Sequence, residues 1–221
     1  MGKVVLTVNQ QKILGIISKD SFITTNFFIT GGTALSGFYF HHRFSEDFDF
    51  FSEVKFDSKK VISSISKIGD QLRPKRIEHQ NLTGQDTFYL YFDRKKFVKI
   101  DFSEFPFPHL GKFNKFNKLN IASIEDIAIN KVHAITTRKR SRDYLDLYKC
   151  IKYLSWTNQD LAKNYRLKFD VILPPEQLAT SFINVIDAKD SPIFLGKNNW
   201  GEVKSFFLDR AKGLESLLLR R

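Results

Sequence analysis

Apolar and polar positions follow two different periods along this chain. Up to about residue 105, stretches with helical spacing are interleaved with stretches that alternate like strands; beyond about residue 120 the spacing is helical almost throughout. The first part predicts a helix over residues 9–19, a short buried strand over 26–30, a helix over 32–41 and a strand over 48–51. A helix over 56–69 follows, with Asp57 or Ser58 as its cap. Residues 76–81, 87–92 and 97–103 alternate like strands, joined by hairpin turns at Thr83-Gly84 and Asp93-Arg94-Lys95-Lys96. Pro106 and Pro108 then disfavour regular structure, and the basic, polar residues 111–118 read as a linker.

Ser123 opens the helical part, with Asp126 three residues on as a variant of the capping box. Further helices are predicted over 141–154, 159–168, 174–187 (a proline in the first turn) and 200–219. The last is amphipathic, with Val203, Phe206, Phe207, Leu214, Leu217 and Leu218 recurring at helical spacing. Together these elements predict an α/β fold: a small mixed sheet flanked by helices over residues 1–112, then a helical C-terminal domain over 119–221. No internal repeat or low-complexity tract interrupts this organisation.

Composition changes the picture little, and charge changes it more. The 221 residues are 42% hydrophobic and 27% charged, as in an ordinary soluble protein with a sizeable core. The 23 phenylalanines read as an aromatic-rich core rather than a stacking surface. A net charge of +11 suits a polyanionic partner, although a merely basic protein would show it too. Cys150 is the only cysteine, so no internal disulfide forms, and its apolar helical surroundings read as core. No apolar run reaches about 18 residues and no signal-peptide pattern opens the chain, so a cytoplasmic protein without a membrane partner is expected.

The chemistry concentrates in four segments. Gly31-Gly32-Thr33 opens a predicted helix, where glycines let backbone N–H groups approach phosphates. Asp47 and Asp49 alternate on a strand, sharing one face while Phe48 and Phe50 share the other. Two such carboxylates repel unless a cation lies between them; the alternative is a solvated acidic strand edge. Asp101 has the same geometry, with Lys99 on its face, and would converge with the aspartate pair if the two strands are neighbours. Three convergent carboxylates would complete a two-metal site, whereas a separate strand would leave Asp101 facing solvent.

Lys131 falls inside the apolar stripe of Ile124, Ile127, Ala128 and Ile135. A lysine there faces packing and needs a partner, either a triphosphate or a buried carboxylate from the other domain. In Arg138-Lys139-Arg140-x-Arg142-Asp143-Tyr144-x-Asp146, Asp143 sits in a first helical turn and suits a structural role. Asp146 lies at the margin of an apolar face. The four basic residues suit triphosphate or nucleic-acid phosphates, or simply a solvated loop.

Taken together, Gly31-Gly32-Thr33-Ala34-Leu35, His42-Arg43-x-Ser45-x-Asp47-x-Asp49-Phe50-Phe51, Lys131-x-x-Ala134 and Arg142-Asp143-Tyr144-x-Asp146-Leu147-Tyr148 resemble the AbiEii-type nucleotidyltransferases. These form a branch of the DNA polymerase β-like nucleotidyltransferase superfamily with many toxins of toxin–antitoxin or abortive-infection systems. The resemblance spans about residues 26–150, and the last seventy or so match only in being helical. It departs from many superfamily members in having Gly-Gly-Thr in place of Gly-Ser, which keeps the hydroxyl.

The resemblance implies a polymerase β-like fold whose helical domain completes a nucleotide cleft. It implies Mg²⁺ (or Mn²⁺) at Asp47 and Asp49, with Asp101 as a third metal ligand or a base. Gly31, Gly32, Thr33, Arg43 and Ser45 would meet the nucleotide, and Lys131 and Asp146 would be a later nucleotide-binding pair; Lys131 counts with the three aspartates as catalytic. The expected reaction moves an NMP from an NTP to an acceptor hydroxyl, with the 3′ end of tRNA as acceptor and Arg138, Lys139, Arg140 and Arg142 on the RNA. An antitoxin from a neighbouring gene is the implied protein partner. Two other readings stay open: transfer to a protein or small molecule, which needs no basic face, and a non-catalytic nucleotide- or RNA-binding module, which needs no convergent carboxylates.

Overall fold

The computed structural model describes residues 5–94, 96–190, 195 and 199–218, and side chains within helix 200–218 only as far as residue 214. It divides into two compact units, Met1–Phe107 with Lys112–Ala122, and Pro108–Gly111 with Ser123–Arg221. Among the described residues, no helix is long and apolar enough to cross a membrane.

The first unit is built on one mixed sheet. Its strands are β1 (Phe28–Thr30), β2 (Asp47–Ser52), β3 (Arg76–Leu82), β4 (Gln85–Tyr91), β5 (Phe97–Glu104), β6 (Asn114–Phe116) and β7 (Leu119–Ile121). Among the described residues they lie in the order β3-β4-β5-β2-β1-β7-β6. β2 runs parallel to β5 and antiparallel to β1, so the strands carrying the candidate aspartates are neighbours. Alternation puts Phe48, Phe50, Ile100 and Phe102 in the core, with the rings of Phe50 and Phe102 stacked at 5.1 Å. Each such ring contributes about 1.5–3 kcal/mol by leaving water. The helices α1 (Val8–Ile17) and α4 (Ser58–Leu72) bury Ile13, Leu14 and Ile17, and Val61, Ile65 and Ile68. Asp57 is the α4 cap and accepts from the Lys59 N–H at 2.9 Å.

Three features of this unit depart from the predicted elements. The strand expected from residue 26 begins at Phe28, because α2 (Ser21–Asn26) precedes it. Asp20 starts that helix by accepting from the Ile23 N–H, overriding the weak helix propensity of Ile23, Thr24 and Thr25. The helix expected over 32–41 is α-helical only in α3 (Gly31–Ala34) and continues as a π-helical turn, Leu35–Phe40. His41 ends it with a left-handed backbone and donates from Nδ1 to the Ser36 carbonyl at 2.9 Å. The segment expected to be a linker holds the β6–β7 hairpin instead, turning at a left-handed Asn117. Strands of three residues are too short for alternation to register, and what recruits them is parallel pairing of β7 with β1.

The second unit is helical: α5 (Ile124–Thr137), α6 (Ser141–Leu154), α7 (Asn158–Phe169), α8 (Pro175–Ile183) with a 3-10 turn at Asn184–Asp187, and α9 (Trp200–Leu218). α6 has the predicted bounds, whereas the 174–187 helix breaks into α-helical and 3-10 parts. The predicted end of α9 at Leu219, like Lys95 in the earlier turn, lies outside the described residues, as do the side chains of Leu217 and Leu218. Tyr144 anchors the core, donating to the Ser181 carbonyl at 2.7 Å with its ring edge-on to Phe207. Cys150 is fully buried, and burial pushes its thiol pKa up, so it is core. Asp126 does more than cap α5. It accepts from Ser123, from the Leu110 and Gly111 N–H groups and from Lys168 at 2.6 Å. Burial pushes the Asp126 carboxyl up, but Lys168 and these hydrogen bonds outweigh it and hold the pKa below the ordinary value.

Candidate active site

The glycine pair is shaped by two side chains that lie against it. Gly31 has a left-handed backbone (φ +73°), and a Cβ there would fall 2.2 Å from Asp49 Oδ2. A Cβ on Gly32 would fall 2.0 Å from Arg43 Nη2 and 3.3 Å from Ser45 Oγ. The turn thus admits the Asp49 carboxylate and the Arg43 guanidinium to the backbone, which only glycine permits. Arg43 is buried and donates from Nη1 to the Phe44 carbonyl at 2.9 Å. Thr33 is fully buried, and its hydroxyl donates to the Asp47 carbonyl while sharing a second hydrogen bond with Ser45 Oγ at 2.8 Å. Its hydroxyl therefore fixes the start of β2. The Gln10 amide adds a bond to the Ser45 carbonyl at 2.8 Å.

Strand register assembles the acidic face. Asp47 lies opposite Lys99, and Asp49 opposite Asp101, across the parallel β2–β5 pair. Thr30 lies opposite Asp49 on β1, and Thr87 opposite Asp101 on β4. The expected adjacency of the two acidic strands is therefore present. Asp101, however, has both carboxylate oxygens engaged. Oδ1 accepts from Thr87 Oγ1 at 2.6 Å, and Oδ2 accepts from Lys99 Nζ. Burial pushes the Lys99 ammonium pKa down, but its bond to Asp101 and the nearby Asp47 charge raise it above the ordinary value. Among the described residues, no group of three or more His, Cys, Asp or Glu side chains is gathered to hold a metal. Asp47 and Asp49 supply hard oxygen donors that suit a magnesium-type cation. Next to Asp49, Thr30 Oγ1 is buried with no hydrogen-bond partner among the described residues, a polar atom left for a group from outside.

In the helical unit, Lys131 is buried, as its place in the apolar stripe requires. Its ammonium lies 2.6 Å from Asp143 Oδ1 and 2.9 Å from Asp146 Oδ2. These carboxylates come from α6 of the same unit, so the expectation of a carboxylate from the other domain is corrected. Asp143 also takes a two-pronged bond from Arg138, with Nε at 2.8 Å and Nη2 at 3.2 Å. Burial pushes the Asp143 carboxyl up, but the Lys131 and Arg138 charges hold its pKa below the ordinary value. Lys139 pairs with Asp187 at 2.9 Å and Arg142 with Asp190 at 3.5 Å, while Arg140 is exposed just before α6. Most of the basic run thus has intramolecular acidic neighbours.

Sequence reasoning missed Lys99 and Thr87 as site residues. The alternation of β5 already put Lys99 on the face of Asp101, but Thr87 required the β4–β5 register, which no local pattern reveals.

Comparisons with known proteins bear on the family and the fold. The family described as "Nucleotidyl transferase AbiEii toxin, Type IV TA system" matches residues 13–198. The uncharacterized protein aq_aa25 of Aquifex aeolicus (strain VF5) is 34% identical over 194 residues, covering 86% of this chain and 88% of that protein. The crystal structure of JHP933 from Helicobacter pylori is similar at a TM-score of 0.59 and 22% identity, covering 96% of this chain and 91% of that one. MenT4, nucleotidyltransferase toxin Rv2826c from Mycobacterium tuberculosis H37Rv, is similar at a TM-score of 0.53 and 13% identity, covering 94% and 82%.

Proposed function

Since the chain belongs to the AbiEii family of nucleotidyl transferase toxins of Type IV toxin–antitoxin systems, and is a nucleotidyltransferase of polymerase β-like fold, we propose that it acts on the 3′ end of an RNA, with tRNA as the favoured acceptor. The observation that carries the transfer chemistry is the register of β1, β2 and β5. It places Asp49 against the Gly31 turn and beside Asp101, with Asp47 on the same face.

On this reading the acceptor hydroxyl oxygen attacks the α-phosphorus of an NTP. A new phosphodiester bond forms, the bond to the bridging oxygen breaks, pyrophosphate leaves and the hydroxyl proton passes to water. Asp47 and Asp49 would hold Mg²⁺ or Mn²⁺, which when bound polarises the α-phosphate and offsets the charge on the leaving oxygen. Thr33 and Ser45 set the position of Asp47 through its carbonyl, and Gly31 lets Asp49 lie against the turn. Arg43 lies against Gly32 and would meet the phosphates, while Lys131 and Asp146 keep the nucleotide-binding role that the family resemblance implies. The protein contributes mostly positioning and fixed charge.

The +11 charge supports an RNA acceptor. The pairing of Arg138, Lys139 and Arg142 with aspartates favours a second reading in which the acceptor is a protein or small molecule. Incubation with each α-labelled NTP, Mg²⁺ and total RNA separates the two. Label at tRNA 3′ ends supports the proposal, and label on protein with none on RNA overturns it.

A further inference from the structure

We propose that Lys99 is a built-in cation of the acidic strand face, and that Asp101 anchors it instead of serving as a third ligand to a divalent metal. This rests on the reading that Asp47 and Asp49 hold the metal.

Three observations carry it. First, the register puts Lys99 directly beside Asp47 and Asp101 directly beside Asp49, on adjacent strands about 4.8 Å apart. Second, both Asp101 carboxylate oxygens already accept a hydrogen bond, one from Thr87 and the other from Lys99. Third, the pair is not an ordinary surface bridge. The Lys99 and Asp101 side chains are 26% and 9% exposed, whereas Lys67, paired with Asp20 elsewhere in the unit, is 62% exposed. Holding a flexible lysine in this way costs side-chain entropy, and a partly buried carboxylate locked by a threonine supplies the return.

The consequence concerns metal number. Three neighbouring carboxylates on one face repel each other, and the Lys99 charge relieves part of that repulsion without any bound ion. Asp101 and Lys99 offset each other's charge, which leaves the Asp47 and Asp49 carboxylates as the ligands for one divalent cation. A second divalent ion at Asp101 would have to compete with the Lys99 ammonium held on that carboxylate. The chain therefore binds one metal where three open carboxylates would bind two, and Lys99 supplies a fixed positive charge beside Asp47.

The test is binding of Mn²⁺ alone to the full chain, followed by the paramagnetic signal of the free ion, with folding checked by circular dichroism. Wild type is expected to bind one Mn²⁺, and D101N still to bind one, weakened by no more than about 10–100-fold, because Asp101 anchors Lys99 without being a ligand. K99M is expected either to gain a second Mn²⁺ or to tighten the first by about tenfold, as a competing charge is removed. That gain disappears in K99M/D101N. K99R keeps the charge and is expected to keep one site, so it serves if K99M does not fold. Two ions on wild type, one of them lost in D101N, would overturn the proposal and leave the metal reading intact. K99M binding unchanged or weakened would also overturn it. D49N is the separate control: Mn²⁺ binding as tight as wild type in that variant sinks the metal reading itself, and the proposal with it.

Discussion

Replacing Lys131 with methionine separates its structural role from its proposed catalytic one. In the fold its ammonium lies 2.6 Å from Asp143 and 2.9 Å from Asp146, and both aspartates are fully buried. Methionine fills a similar volume but leaves the two carboxylates with one cation fewer. Removing one partner of a buried ion pair costs about 3–5 kcal/mol. Asp143 keeps Arg138, whose side chain is 46% exposed, so the lower end applies. About 3 kcal/mol corresponds to a drop in melting temperature of about 6–12 °C for a chain of this size. Thermal melting at neutral pH reads the stability, and labelled-NTP transfer reads the activity.

The double variant K131M/D146N then removes one of the stranded carboxylates. It is expected to recover at least about 1 kcal/mol relative to K131M, since contacting residues are not additive. Transfer should stay at the level of the single variant, because Lys131 and Asp146 are both proposed to contact the nucleotide. A K131M melting point within about 2 °C of wild type would refute the electrostatic account of this cluster. Transfer that returns together with stability in the double variant would show that Lys131 acts on the fold alone.

Gly31→Ala forces a side chain into a left-handed backbone and against Asp49 Oδ2 at 2.2 Å; an expected destabilisation of about 1–3 kcal/mol, with loss of transfer, is read by urea titration and by the labelled-NTP assay. Thr33→Val removes the donor to the Asp47 carbonyl and the bond with Ser45, for a cost of about 1–3 kcal/mol by urea titration. The acid limb of stability follows from Asp126 and Asp143, whose folded pKa values lie below the ordinary 3.8. Their contribution is fully present above that value and is lost as pH falls through the folded pKa values. The urea midpoint should therefore fall as pH drops from about 5 towards about 3, and less steeply in D143N than in wild type.

Much of the fold was legible because most of its elements are long enough for a period to register. The helices over Ser141–Leu154 and Ser58–Leu72, and the β3–β5 meander, show their spacing over two turns or six residues. The three-residue strands β6 and β7 exist through pairing with β1, and α2 exists through the Asp20 cap; neither source is local periodicity. The site was legible to the same degree. Alternation put Asp47 and Asp49 on one face, and the apolar stripe marked Lys131 as buried. The partners of those residues were not legible, because Asp101–Thr87 depends on register and Lys131–Asp146 on helix packing. The basic run looked like an open phosphate surface because Asp187 and Asp190 are far from it in sequence.

The most direct test of the central claim compares wild type with Asp49→Asn, matched for melting temperature, in transfer from α-labelled NTP to RNA with Mg²⁺. The account predicts labelled RNA 3′ ends and released pyrophosphate with wild type, and neither with D49N or in the presence of a chelator. Full transfer by folded D49N would contradict it.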